Sequence, residues 1–174
     1  MCGVWRGSAC EHKGVHEDAR DQSRDESAFG DYQSTAGDPD GNPYDWYQRA
    51  LALLDSGNSD AAAVLLVRLR EIDPSSTSVL EALARAMFDS RRYPEAVEAF
   101  TELVERSPAE DYGHFGLGMS LWRLQRFPEA RDHLAMAFVM RPERSEYGSA
   151  LAQVKATLRA RALAGLPLQG PIST

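Results

Sequence analysis

Three prolines spaced 34 residues apart, Pro74, Pro108 and Pro142, constrain this chain more than any other feature. The segments they close superpose at fixed offsets. Tyr93-Pro94-Glu95-Ala96 falls on Phe127-Pro128-Glu129-Ala130, and Ala62 falls on Ala96 and Ala130. Leu66, Phe100 and Leu134 come four residues later in each copy. A period of this length implies one supersecondary unit per copy. Each unit buries its apolar face only by stacking on the next, so at least three copies are needed for a stable core.

The spacing inside each unit predicts two helices. In the second unit, residues 77–110, Leu80, Leu83, Ala84 and Met87 obey the i, i+3, i+4, i+7 rule of one buried helical face. Tyr93-Pro94 marks the corner. Proline suits the first turn of a helix, where its missing N–H is harmless, and Glu95 suits the positive end of the helix dipole. Ala96, Phe100 and Leu103 then form the facing stripe. The third unit, residues 111–144, reads the same way through His114, Leu117, Gly118 and Leu121, then Ala130, Leu134 and Ala137. The first unit, residues 43–76, is looser. It carries Trp46, Ala50 and Leu53, a Gly57 corner, then Ala62, Leu65, Leu66 and Leu69 up to Asp73-Pro74. Arg49 stands where the later copies have Leu83 and Leu117, as expected of a first repeat with no upstream neighbour.

Small residues recur at two places: Ala50, Ala84 and Gly118 on first helices, and Ala62, Ala96 and Ala130 on second ones. Helix axes approach to about 8 Å only where the crossing residues are small. Gly113, Gly116 and Gly118 fall inside a helical pattern, so packing accounts for them better than a phosphate-binding loop does. On these residues the chain resembles the tetratricopeptide repeat (TPR) family over about 100 of its 174 residues. The expected fold is all-α, a TPR helix-turn-helix solenoid of about seven helices. Residues 43–144 form three repeats. A capping helix over 145–165 presents Tyr147, Leu151, Val154 and Leu158 on one face, and the period is expected to break there. Residues 166–174 read as a loose tail.

Residues 1–41 differ. They hold nine acids against four bases and few aliphatics, so they read as an acidic disordered leader that the fold does without. Cys2, Cys10, His12 and His16 include a His-x3-His spacing. Cys2 and Cys10 are far wider apart than a usual zinc pair, which leaves metal binding as the lesser reading. No run of 18 apolar residues predicts a membrane span, and no secretory signal is visible, so the chain reads as cytoplasmic. Its net charge of −7 argues against nucleic acid, which is bound chiefly through cations on phosphates. No nucleophile motif, metal-ligand spacing or cofactor fingerprint is present. His114 reads as a core histidine and His133 as an exposed one. We expect no catalytic residue, no cofactor and no metal.

The resemblance implies a concave face lined by first helices and a partner bound within it. The inward positions it implies are Tyr44, Tyr47, Gln48 and Leu51, then Ser78, Glu81, Arg85, Phe88 and Asp89, then Tyr112, Phe115, Met119, Trp122 and Arg123. Aromatic, Met and Arg side chains dominate, the types enriched at interfaces. Phe88 and Trp122 are equally well explained by packing. The lysine and asparagine clamp with which one TPR subclass holds the terminal carboxylate of chaperone tails is absent. Tyr47, Leu51, Ala82, Tyr112 and Gly116 stand there instead. The functional expectation is a non-enzymatic adaptor or scaffold that binds a peptide or helix of a partner protein, with Arg85 and Arg123 available to an acidic group. The alternatives are a small acidic chaperone of a client protein and a self-associating module such as a homodimer.

Overall fold

The structure, a computed structural model, describes residues 41–171. The leader and its cysteines and histidines lie outside that range. Among the described residues there are seven α-helices and no strand: α1 Pro43–Asp55, α2 Ser59–Ile72, α3 Thr77–Asp89, α4 Tyr93–Arg106, α5 Asp111–Arg123, α6 Phe127–Met140 and α7 Ser145–Leu163. First helices begin at residues 43, 77, 111 and 145, and second helices at 59, 93 and 127. The period therefore does not break at α7. This helix starts in register as the first half of a fourth unit and runs on, to 19 residues, with no second helix after it among the described residues.

Local sequence explains the helix ends. Asn42 caps α1 in a capping box, its side chain accepting from the Asp45 N–H while Asp45 accepts from the Asn42 N–H. The corner after each first helix needs a left-handed residue. Gly57 supplies it in the first unit at φ 81°, and Arg91 and Gln125 adopt it in the next two at φ 61° and 60°. Pro94 and Pro128 then sit in the first turns of α4 and α6. Arg92 bridges Glu95, and Arg126 bridges Glu129, in the same turn of both.

Each helix packs on its neighbours in sequence, and α1, α3, α5 and α7 also touch along one side. The first helices therefore line the inner wall and the second helices fan outwards. Ala50, Ala62, Ala84, Ala96 and Ala130 have no exposed surface. At Gly118 even a methyl group would come within 2.7 Å of Leu134. The core runs unbroken from Trp46 to Val154. Arg49 is exposed while Leu83 and Leu117 are buried, as its place at the open end of the stack requires. On the outer side Glu102 is more than a solvated acid. It bridges Arg70 and Arg106, which ties α2 to α4.

The C-terminal tail is not loose over 165–171. Arg161 is buried at the end of α7 and stacks over Phe127, 5.1 Å from the ring centre. It donates to the Pro167 and Gly170 carbonyls at 2.5 and 2.7 Å, while the Gly170 N–H donates to the Gln125 carbonyl. A guanidinium has five donors in a fixed fork, so one side chain can order a short irregular segment.

Candidate functional site

The inner wall carries a half-enclosed cleft of about 360 Å³, lined by Tyr47, Leu51 and Leu54 of α1, Ser78, Glu81, Ala82 and Arg85 of α3, Glu110, Asp111 and Tyr112 at the start of α5, and Arg144 before α7. Helical spacing puts these groups together. Tyr47 and Leu51 are one turn apart, as are Glu81 and Arg85, so both pairs face the same way. Tyr112 enters from the first turn of α5 and packs edge-on against Phe100, ring centres 6.2 Å apart. Burial raises the pKa of both tyrosines above the ordinary phenol range, so they face the cleft neutral.

The charges in the cleft are unequally satisfied. Arg85 is held by Asp55 at 3.3 Å and Asp89 at 3.7 Å. Asp111 accepts the Tyr147 O–H at 2.7 Å and pairs with Arg141 and Arg144 at 3.4 and 3.7 Å. Glu81 has no such ion pair among the described residues. Burial, then the neighbouring Glu110, push its carboxyl up to about 7, although the Arg85 guanidinium pulls the other way. Glu110 is raised as well, first by burial, while the hydrogen bond from Glu81 works the other way. Both carboxyl groups on the wall of the cleft therefore hold a proton more readily than a free carboxyl does.

Of the positions expected to face a groove, Tyr47, Leu51, Ser78, Glu81, Arg85 and Tyr112 line this cleft. Tyr44 is half-buried on α1 outside it, and Gln48 is exposed. Phe88, Phe115 and Met119 do not fit the expectation. They are 6%, 3% and 1% exposed and belong to the core. Phe88 packs edge-on against Tyr93, and Phe115 stacks on Tyr147 of α7 with ring centres 4.5 Å apart. Trp122 and Arg123 lie elsewhere, in a more open recess of about 430 Å³ at the C-terminal end that Phe127, Arg161 and Pro171 complete. There Arg123 lies over the Trp122 ring at 5.9 Å. Arg85 and Arg123 therefore do not act together, and Arg85 is already engaged by two aspartates. Glu110, Asp111 and Arg144 were missed in the sequence. Glu110 and Arg144 fall in the links between units and Asp111 opens α5, where helical periodicity gives no face.

His133 is half-buried rather than exposed. Its Nδ1 lies 3.1 Å from the Nδ1 of His114, and the rings stack. The Nε2 of His114 faces the Pro108 carbonyl at 3.1 Å and must donate to it. His114 Nδ1 is then the acceptor, and the His133 Nδ1–H the donor. Among the described residues no group of three metal-ligating side chains comes together, and no helix is long and apolar enough to cross a membrane.

A superhelix of paired helices with an inner wall open for contact is the architecture of a protein–protein interaction module. The chain belongs to the tetratricopeptide repeat family, whose profile matches residues 47–111 and again 81–145. No curated protein matches the sequence significantly. Solved structures share the fold. MamA from Desulfovibrio magneticus superposes with a TM-score of 0.66 at 17% identity, over 71% of this chain and 70% of that one. The first TPR of Spaghetti (RPAP3), bound to the HSP90 peptide SRMEEVD, gives 0.62 at 17% identity, over 70% and 93%. A thermophilic TPR protein of Thermus thermophilus gives 0.61 at 23% identity, over 71% and 69%.

Proposed function

We propose that this protein is an adaptor that binds a segment of a partner protein in the cleft of its inner wall. One observation carries the reading. The cleft gathers two tyrosines, two leucines and a set of charged groups from three different repeats in a half-enclosed space of about 360 Å³. Neutral tyrosines beside an aliphatic wall offer contact area at low entropic cost, and charges set the orientation of what binds. The TPR–peptide complex among its structural relatives supports the mode. The chain's own lining differs from a carboxylate clamp, because Tyr47, Leu51 and Tyr112 stand where the clamp would need lysine or asparagine.

A displayed library of random peptides, panned on the purified protein, tests this. Enrichment of a peptide family that loses binding to the Leu51→Arg and Tyr47→Ala variants, with their melting curves retained, is the expected result. Truncation of an anchoring ring at an interface commonly costs about 2 kcal/mol, near thirtyfold in affinity. No enrichment, or peptides that bind both variants as well as the parent, would overturn the reading.

A further inference from the structure

The recess at the C-terminal end holds two cations and no acid. Trp122, Arg123, Gln125, Phe127, Arg161 and Pro171 line it. Arg161 is buried, and a buried cation is costly unless opposite charge offsets it. Its Nε and Nη2 donate to the Pro167 and Gly170 carbonyls, and its guanidinium lies over Phe127. These partners are all neutral, and its Nη1 makes no hydrogen bond among the described residues. Arg123 is exposed over the Trp122 ring, and among the described residues neither arginine makes an ion pair. The earlier units differ. Asp55 and Asp89 stand at the position of Arg123, and both hold Arg85. In the third unit the sign at that position is reversed, and Met119 replaces the arginine. The imbalance extends to the whole end of the stack. Residues 41–110 hold twelve acids and seven bases, and residues 111–171 five acids and eight bases.

We infer that this recess binds an acidic side chain of a partner segment, with the carboxylate on Arg123 and an adjacent apolar side chain against Trp122. The inference does not depend on the cleft. Tyr112 and Trp122 lie at opposite ends of α5, roughly 15 Å apart along its axis. A guanidinium stacked on an indole keeps its edge free, so Arg123 can take both oxygens of a carboxylate without leaving the ring. Arg161, deeper in the recess, adds positive charge that solvent screens less. The carboxylate in turn supplies the counter-charge that Arg161 lacks. A space of about 430 Å³ holds such a side chain and its neighbour. Tryptophan and arginine are the side chains that most often carry binding energy at interfaces, and clusters of arginine are a recurring way to recognise acidic motifs.

The test uses the full chain and short peptides, acetylated and amidated at their ends, with leucine flanks around a central glutamate, glutamine or lysine. Binding is measured by calorimetry at low and high salt. We expect the glutamate peptide to bind about tenfold tighter than the glutamine peptide, and to lose most of that preference at high salt, where exposed charges are screened. Arg123→Gln, at an exposed position and checked for an unchanged melting curve, should abolish the preference. Leu51→Arg, in the cleft, should leave it intact. Equal binding of the glutamate and glutamine peptides, or no binding of either, would overturn the inference. So would a preference that survives Arg123→Gln. A preference lost in Leu51→Arg and kept in Arg123→Gln would overturn it while supporting the cleft as the site. A glutamine peptide with a free C-terminus that matches the amidated glutamate peptide would overturn the side-chain source, because the recess would then take a terminal carboxylate.

Discussion

The inner faces of α3 and α5 occupy the same place in the repeat and do opposite things. Glu81 and Arg85 on α3 correspond, 34 residues on, to Phe115 and Met119 on α5. The first pair lines a half-open cleft, and the second is buried. The cause is the first helix of the next unit, which differs in the two cases. The first turn of α7 lays Tyr147 over Phe115, and the Tyr147 hydroxyl reaches Asp111. Over α3 the neighbouring α5 presents Glu110 and Tyr112, which leave space. A position in a repeat thus sets where a side chain is directed, while the next unit decides whether it meets solvent or another ring.

Truncating the two walls should separate them most. Phe115→Ala should cost about 3–5 kcal/mol in chemical denaturation, the usual range for deleting a buried aromatic ring. Glu81→Ala, at the equivalent position, should leave stability near the parent value at neutral pH. Similar losses in both would mean that α7 does not seal α5.

The unit junctions show the same contrast in volume. Phe100 meets Gly116, and a methyl group there would lie 2.2 Å from the ring. The equivalent pair one unit earlier is Leu66 and Ala82, a smaller side chain against a larger one. Gly116→Ala should therefore destabilise by about 1–3 kcal/mol through overpacking. Adding Phe100→Leu should return part of that loss, since it recreates the earlier pair. A double-mutant cycle with no coupling would show that the two sites are independent.

The carboxyl pair makes the α3 wall pH-sensitive. The carboxyl of Glu81 titrates near 7 in the fold against 4.5 when unfolded, so the folded state holds the proton more tightly. Its stabilising contribution is complete below pH 4.5 and is lost as pH rises through about 7. Glu81→Gln should remove that slope and raise stability at pH 8 by about 1–2 kcal/mol, less than the full shift implies because Glu110 titrates with it. Urea midpoints of parent and variant at pH 5 and pH 8 check this, and parallel changes in both would refute it.

On the α5 side the corresponding device is a histidine pair, His114 and His133, where the preceding unit has Leu80 and Ala99. Burial, then the charge of His114, lowers the pKa of His133 below 6.5, although Asp132 and Glu129 pull the other way. Stability tied to neutral His133 is present above pH 6.5 and is lost as pH falls below it. The melting temperature of the parent should therefore drop more between about pH 7 and pH 5.5 than that of His133→Ala, by a few degrees at most. An equal drop in both would show that the pair carries no proton-linked stability.

The sequence alone determined the repeat, the helix pairing, the all-α stack and most of its core. These arise from local periodicity and from small residues and prolines at fixed offsets, which one chain displays in every copy. The resemblance to the repeat family implied that Tyr47, Leu51, Glu81, Arg85 and Tyr112 face inwards, and these five do line the cleft. Only the tertiary structure decided that Phe88, Phe115 and Met119 are core, that α7 continues the period, and that Arg161 fastens the tail. Each of these depends on which surface the neighbouring unit covers, and a periodic pattern gives direction without depth. The meeting of Glu81 with Glu110 needed the structure for the same reason. One lies on a helix face and the other in a link, 29 residues later, and only the stacking of α5 on its predecessors brings both carboxyls to one cleft.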